Sequence, residues 1–338
     1  MMKKISRLWL MVLAVALMAG CARPMENTPS APVETSAPPP AVETPTIEAP
    51  TPAPVEAKTV VLVSASGAYP AMEAAFGELA AEAGLTLETR ESVQAGDLSA
   101  EWKVVVFPSA PGNLAELAAA APQTQFVAAS GAELPAGVNV SVIRLRPEYT
   151  SFAAGYLGVV LAFDFRVGAL LPAEGTAAET FVNGGRFFCG LCNSNYSPIV
   201  RFPVVSQAPA GTAAGQWQQA VDTLQQNYLY VMYVSPEAAS SELLSYLTTM
   251  GYTLYGGQTP PDEFRSRWAA TVREDLVTPL RALWPGVIAG QGGQTVEASV
   301  EIADVNADLL SAGRLEQVQK MIAEMAAGRI YPFNPPMD

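Results

Sequence analysis

The sequence predicts an α/β protein of two doubly wound parallel-sheet lobes, set behind a signal peptide and a disordered linker. Three observations carry that expectation. Short β-branched runs alternate with alanine-rich amphipathic stretches from Thr59 to near the C-terminus, the pattern of parallel strands covered by helices on both faces. Half of the 338 residues are apolar, enough to fill one large core or two ordinary ones. Residues 22–57, by contrast, hold ten of the 28 prolines and no aromatic residue, so that stretch cannot bury a core.

In order along the body, strands are expected at Thr59–Ser64, Trp102–Phe107, Gln125–Ala129 and Val138–Leu145. Helices are expected between them at Ala71–Ala83, closed by Gly84, and at Asn113–Ala121. A second series follows: helix Tyr149–Phe163, strand Arg166–Leu171, helix Thr176–Cys192, strand Ile199–Val205 and helix Ala214–Asn227. It continues with strand Tyr228–Val234, helix Glu237–Met250 and strand Tyr252–Leu254. The last segment reads as helix Asp262–Leu283, strands Gly286–Ala289 and Thr295–Ile302, and helix Ala307–Ala327.

The N-terminus reads as an address. Lys3, Lys4 and Arg7 precede an apolar run, Leu8–Met18, that is too short to span a bilayer. It ends Leu17-Met18-Ala19-Gly20-Cys21, which resembles a bacterial lipobox, with Cys21 as the lipid-attachment residue. Residues 1–20 are therefore the expected lipoprotein signal peptide and 21–57 a Pro-rich tether. In the extended polyproline form that tether would reach on the order of 100 Å. Residues 58–338 form the two-lobed body: lobe 1 about 58–146 plus part of 262–300, lobe 2 about 147–261 plus a C-terminal segment. Acylation would place the body on the extracytoplasmic face of the cell membrane.

Composition narrows the chemistry. The chain has no histidine, so Ser–His–Asp catalysis, HExxH zinc sites and imidazole proton shuttles are excluded. A net charge of −13 argues against nucleic-acid binding. No metal site and no cofactor is expected. Cys189-Gly190-Leu191-Cys192 lies at the C-terminal end of its helix, where the helix dipole disfavours a thiolate. It reads as a structural disulfide or two packed thiols, with metal capture and redox chemistry as alternatives. Asp304-Val305-Asn306-Ala307-Asp308 mimics the start of a calcium loop, but Leu309 and Leu315 stand where glycine and glutamate are needed. Capping by Asn306 or Asp308 is the better reading. Gly290–Gln294 lacks the lysine of a phosphate loop and reads as a turn. Tyr228, Tyr230 and Tyr233 read as sheet packing.

Thr150-Ser151-Phe152-Ala153-Ala154-Gly155-Tyr156-Leu157-Gly158 resembles the "SFLAGYLA" helix of the basic membrane protein family, ABC-transporter solute-binding lipoproteins similar to purine-nucleoside receptors. Phe181–Arg186, Tyr230–Val234 and Ala327–Ile330 resemble further family motifs in the same order. The resemblance implies a type 1 periplasmic-binding fold with three crossovers, a small solute held in the cleft between lobes, and an ABC permease as partner of a monomeric, non-catalytic protein. Ligands in such folds sit at the carboxyl ends of parallel strands. The expected contacts are therefore Ser64, Ser66, Tyr69, Ser109, Ser130, Ser235, Glu237, Gly257 and Gln258. At three strand ends the family carries an aspartate that grips a nucleoside. Here those places read Ser64–Ala71, Phe126–Ser130 and Tyr255–Thr259, so the expected pocket is neutral and serine-rich. The alternatives are a ligand sensor signalling to a membrane receptor, or an extracytoplasmic enzyme working through paired carboxylates.

Overall fold

The computed structural model describes residues 57–65 and 69–333. The signal peptide, Cys21, the tether up to residue 56 and Ser66 lie outside them. The chain opens with β1 (Thr59–Val63), α1 (Pro70–Glu82), β2 (Thr86–Arg90), β3 (Trp102–Phe107), α2 (Leu114–Ala120), β4 (Gln125–Ser130) and β5 (Val140–Arg144). It continues with α3 (Pro147–Leu161), β6 (Val167–Pro172), α4 (Ala177–Cys189), β7 (Val204–Ala208), α5 (Ala214–Gln225), β8 (Val231–Val234), α6 (Ser241–Thr249) and β9 (Thr253–Gly256). The last part holds β10 (Trp268–Asp275), α7 (Val277–Ile288), β11 (Thr295–Glu297), β12 (Ser299–Ala303) and α8 (Ala312–Ala326).

These strands form two six-stranded sheets, ordered β2-β1-β3-β4-β5-β11 and β7-β6-β8-β9-β10-β12. Every pair is parallel except β10 with β12. In the first sheet, Val60, Leu62, Val104 and Val106 pack under α1 and α7, while Val61, Val105, Phe126 and Ala128 pack under α2. Burial on both faces is why these strands read as unbroken apolar runs. The Phe76 and Trp284 rings meet edge to face at 5.5 Å, locking α1 to α7. Both sheets and all four core clusters are built within residues 59–325, so this body carries its own folding determinants.

The chain passes between the sheets three times: at Leu145–Arg146, at Leu276 and at Ala298. Two differences from the sequence expectation sit at these passages. Thr295–Ile302 is two strands, one per sheet, because the buried Ala298 donates its amide to the Arg144 carbonyl and turns the chain. The helix expected over Asp262–Leu283 is a 3₁₀ turn (Asp262–Arg267), then β10, then α7. Trp268, Ala269, Ala270 and Val272 are almost fully buried between β9 and β12, and this tertiary burial overrides a locally helix-compatible composition. The Asp275 carboxylate then accepts the Val277 and Thr278 amides and starts α7.

In lobe 2, α3 and α4 lie backbone against backbone. A Cβ on Gly155 would overlap the Phe181 carbonyl, and one on Gly184 would overlap the Phe152 carbonyl. The Tyr255 hydroxyl fills the space beside Gly158 and donates to the Ala154 carbonyl. At the amino ends of β6 and β8, the buried Arg166 guanidinium ties three segments together. It pairs with Asp164, itself buried, and donates to the carbonyls of Asn227 (2.7 Å) and Tyr196 (2.6 Å). Cys189 and Cys192 are joined as a disulfide with Cα atoms 5.1 Å apart.

Candidate functional site

The carboxyl ends of β1, β3 and β4 face those of β8, β9 and β10 across the three passages. A cleft of about 340 Å³ lies between them. Lobe 1 contributes Tyr69, Ala71 and Met72 from the start of α1, and Pro108 from the end of β3. Lobe 2 contributes Pro236 after β8, Gly257, Gln258 and Thr259 after β9, and Arg273 and Glu274 at the end of β10. Glu301 on β12 closes one side.

The expected contact residues distribute unevenly. Tyr69, Gly257 and Gln258 line the cleft, and Gln258 is steadied by donating to the Ala239 carbonyl at 3.3 Å. Ser64 is buried at the end of β1, with its amide bonded to the Arg90 carbonyl. Ser109 is exposed after β3. Ser130 turns its hydroxyl to the Ala132 carbonyl at 2.9 Å. Ser235 is buried, with no hydrogen-bond partner for its hydroxyl among the described residues. Glu237 is exposed on the turn after β8. None of these five lines the cavity.

The expectation of a neutral, serine-rich pocket is therefore corrected, because Arg273, Glu274 and Glu301 put charge into the cleft. Arg273 and Glu301 pair at 2.6 Å across β10 and β12, and Arg273 also donates to the Thr259 hydroxyl at 3.2 Å. Thr259 and Thr271 each donate to the Asp304 carboxylate at 2.8 Å. Asp304 thus serves this network rather than a calcium loop. Glu274 has only the Thr150 hydroxyl at 3.1 Å, and no cation pairs with it among the described residues. It shares the cleft with Tyr69: burial, and then the Glu274 carboxylate, raise the Tyr69 phenol above its usual value. Arg273 and Glu274 escape sequence reasoning because β10 reads as part of a helix, which hides the strand end on which they stand.

Two parallel sheets of order 2-1-3-4-5, three crossings and a cleft at the carboxyl ends leave one architecture. The fold is that of the type 1 periplasmic binding proteins. The body is similar to an ABC transporter solute-binding protein from Conexibacter woesei, with 15% identity and a TM-score of 0.61 over 81% of this chain and 97% of that one. It is also similar to an ABC transporter solute-binding protein from Aeropyrum pernix, with 13% identity and a TM-score of 0.57 over 83% and 94% of the two chains. A transcriptional activator of the comK gene from Bacillus halodurans shares the fold at 14% identity and a TM-score of 0.59, over 82% of this chain and all of that one. No protein-family model matches the chain, and no curated protein matches it in sequence. Among the described residues no helix is long and apolar enough to cross a membrane, and no cluster of three or more metal-ligating side chains occurs.

Proposed function

We propose that the protein is a lipid-anchored solute-binding protein on the extracytoplasmic face of a bacterial membrane, closing two lobes on a small solute and delivering it to an ABC permease. The observation that supports this reading is the cleft lined from both sheets, with the Tyr69 ring on one lobe and the unpaired Glu274 carboxylate opposite it. A ligand that touches both lobes favours closure through the difference between its contacts in the two states. The ring offers a stacking face and the carboxylate accepts from a hydroxyl or an amine. A nucleoside-like solute is the finer form of this reading, supported by the likeness of α3, α4 and β8 to the basic membrane protein motifs. The anchor at Cys21 rests on the lipobox-like stretch alone.

A thermal-shift screen of the body against nucleosides, sugars, amino acids and polyamines tests the proposal. A specific solute at 100 times its Kd stabilises the body by about 2.7 kcal/mol. No shift with any class would sink the solute-binding reading, and shifts confined to non-nucleosides would sink only its finer form. For a solute that does bind, Glu274→Gln is expected to raise Kd by at least about tenfold, the value of a hydrogen bond to a charged group. It should leave the melting temperature of the free protein within a degree or so of the parent. An unchanged Kd would remove Glu274 from the site.

A further inference from the structure

Lobe 2 presents an exposed aromatic surface at the end opposite the cleft. Nine large apolar residues among those described are at least half exposed, and four of them stand together here: Phe163, Tyr196, Tyr228 and Tyr230. The Phe163 ring stacks on Tyr196 at 6.1 Å and meets Tyr230 edge to face at 5.6 Å. Tyr228 completes the wall of the same shallow pocket. Tyr228 and Tyr230, read from the sequence as sheet packing, project here because β8 begins only at Val231.

The surface is held stiffly. Asp164 accepts the amides of Asn195 (2.7 Å) and Tyr196 (3.3 Å), and Arg166 binds the carbonyls of Tyr196 and Asn227. Four of the five described non-glycine residues with positive φ are Asp164, Phe165, Cys192 and Tyr228, so backbone strain is concentrated where the rings are displayed. Exposed apolar clusters of this kind mark interaction surfaces.

Charge says what covers it. The chain carries 32 acidic and 19 basic residues. Yet between Arg186 and Pro203 its only charges are Arg186 and Arg201. Both are exposed, and neither forms an ion pair among the described residues. Two acids stand at this end: Asp164, buried and paired with Arg166, and Asp222 in the last turn of α5, which accepts from the Tyr246 hydroxyl. An aromatic tip beside two arginines free of ion pairs, on an otherwise acidic protein, is complementary to an anionic bilayer: rings enter the headgroup zone and guanidiniums meet phosphates.

We propose that this pole of lobe 2 docks on an anionic membrane surface, holding the body against the bilayer by a contact separate from any lipid anchor. The cleft stays free, because it opens at the carboxyl ends of the same strands whose amino ends carry the patch.

The test uses the body alone, residues 57–338, so that no acyl chain contributes. It is expected to co-sediment with vesicles of equimolar phosphatidylcholine and phosphatidylglycerol, less with pure phosphatidylcholine, and less at high salt. The combined change Phe163→Ser/Tyr196→Ser/Tyr230→Ser should weaken binding at least about tenfold, and Arg186→Glu/Arg201→Glu by a similar factor. Should the aromatic variant melt early, the arginine pair carries the test, since those side chains support no other element. No binding of the parent body overturns the proposal, as does binding that survives both changes. A concentration-dependent dimer abolished by the same changes, without vesicle binding, would assign the patch to a second copy instead. Solute uptake in the cleft is read separately, so loss of vesicle binding alone leaves the solute-binding reading standing.

Discussion

Replacing Arg166 with alanine is expected to be clearly destabilising, because it breaks an ion pair on one side and removes the donor to two carbonyls at once. The side chains of Arg166 and Asp164 are 4% and 1% exposed, so water cannot replace what is lost. The substitution leaves the Asp164 carboxylate with the Asn195 and Tyr196 donors but no cation. It also removes the donors that satisfy the Asn227 and Tyr196 carbonyls, each of which has the guanidinium as a partner. Arg166→Lys restores the charge but not the planar fork, which must reach Asp164 on one side and two carbonyls on the other. It is expected to recover only a minor part of the loss. Urea denaturation measures both, and a cost below about 1 kcal/mol for alanine would show the knot to be incidental. The same pair gives the acid limit a definite sign. Burial works against the Asp164 charge, but the Asn195 and Tyr196 amides, the Asn195 side chain and Arg166 outweigh it and hold the carboxyl below its usual value. A lowered folded value means that this stabilisation is complete above the unfolded value of about 3.9 and is lost as pH falls through the folded one. In Arg166→Ala the acid transition should begin at higher pH than in the parent protein.

What was legible beforehand divides along physical lines. Strands buried on both faces, such as Val60–Leu62 and Val104–Val106, announce themselves, since a parallel sheet between helix layers demands apolar runs. The edge strand β2, reading Thr-Leu-Glu-Thr-Arg, does not, because one side of it faces water. Strand β10 was hidden for the opposite reason. Its Ala-Ala and Arg-Glu-Asp suit a helix, and only burial between two neighbouring strands decides otherwise. This helix-like composition hides the charged part of the cleft, where Arg273 and Glu274 stand. The serines stand at strand ends, but side chains alternate between faces with a period of two. Position along a strand therefore does not say whether Ser64 or Ser235 meets the cleft or the core; both are buried, and neither lines the cavity. The glycines of α3 and α4 were visible as a motif, while their reason needed the partner helix.

That reason predicts opposite signs for one substitution made at two helical glycines. Alanine is favoured over glycine in a helix interior by about 1 kcal/mol. At Gly215, in the first turn of α5, nothing lies within 4 Å of where a Cβ would stand, so Gly215→Ala should gain a part of that amount. At Gly155 the new Cβ would overlap the carbonyl of Phe181, with the Phe181 carbonyl carbon and Cα close behind. This obstacle is the backbone of a packed helix rather than the end of a flexible side chain. Relief requires α3 and α4 to separate, and both bury their facing residues, including Phe152, Ala154 and Phe181, almost completely. Overpacking costs typically 1–3 kcal/mol and more where the surroundings cannot yield. Gly155→Ala should therefore be destabilising by about 2 kcal/mol net, with the helix preference already counted, and Gly155→Val should exceed 3 kcal/mol or prevent folding. Gly184, which meets the Phe152 carbonyl in the same way, should behave alike, and the paired change Gly155→Ala/Gly184→Ala should cost less than the sum, because one separation of the helices relieves both overlaps. Equal urea midpoints for Gly155→Ala and Gly215→Ala would mean that the two helices do not approach this closely, and the account of the Gly155 motif as a backbone contact would fall.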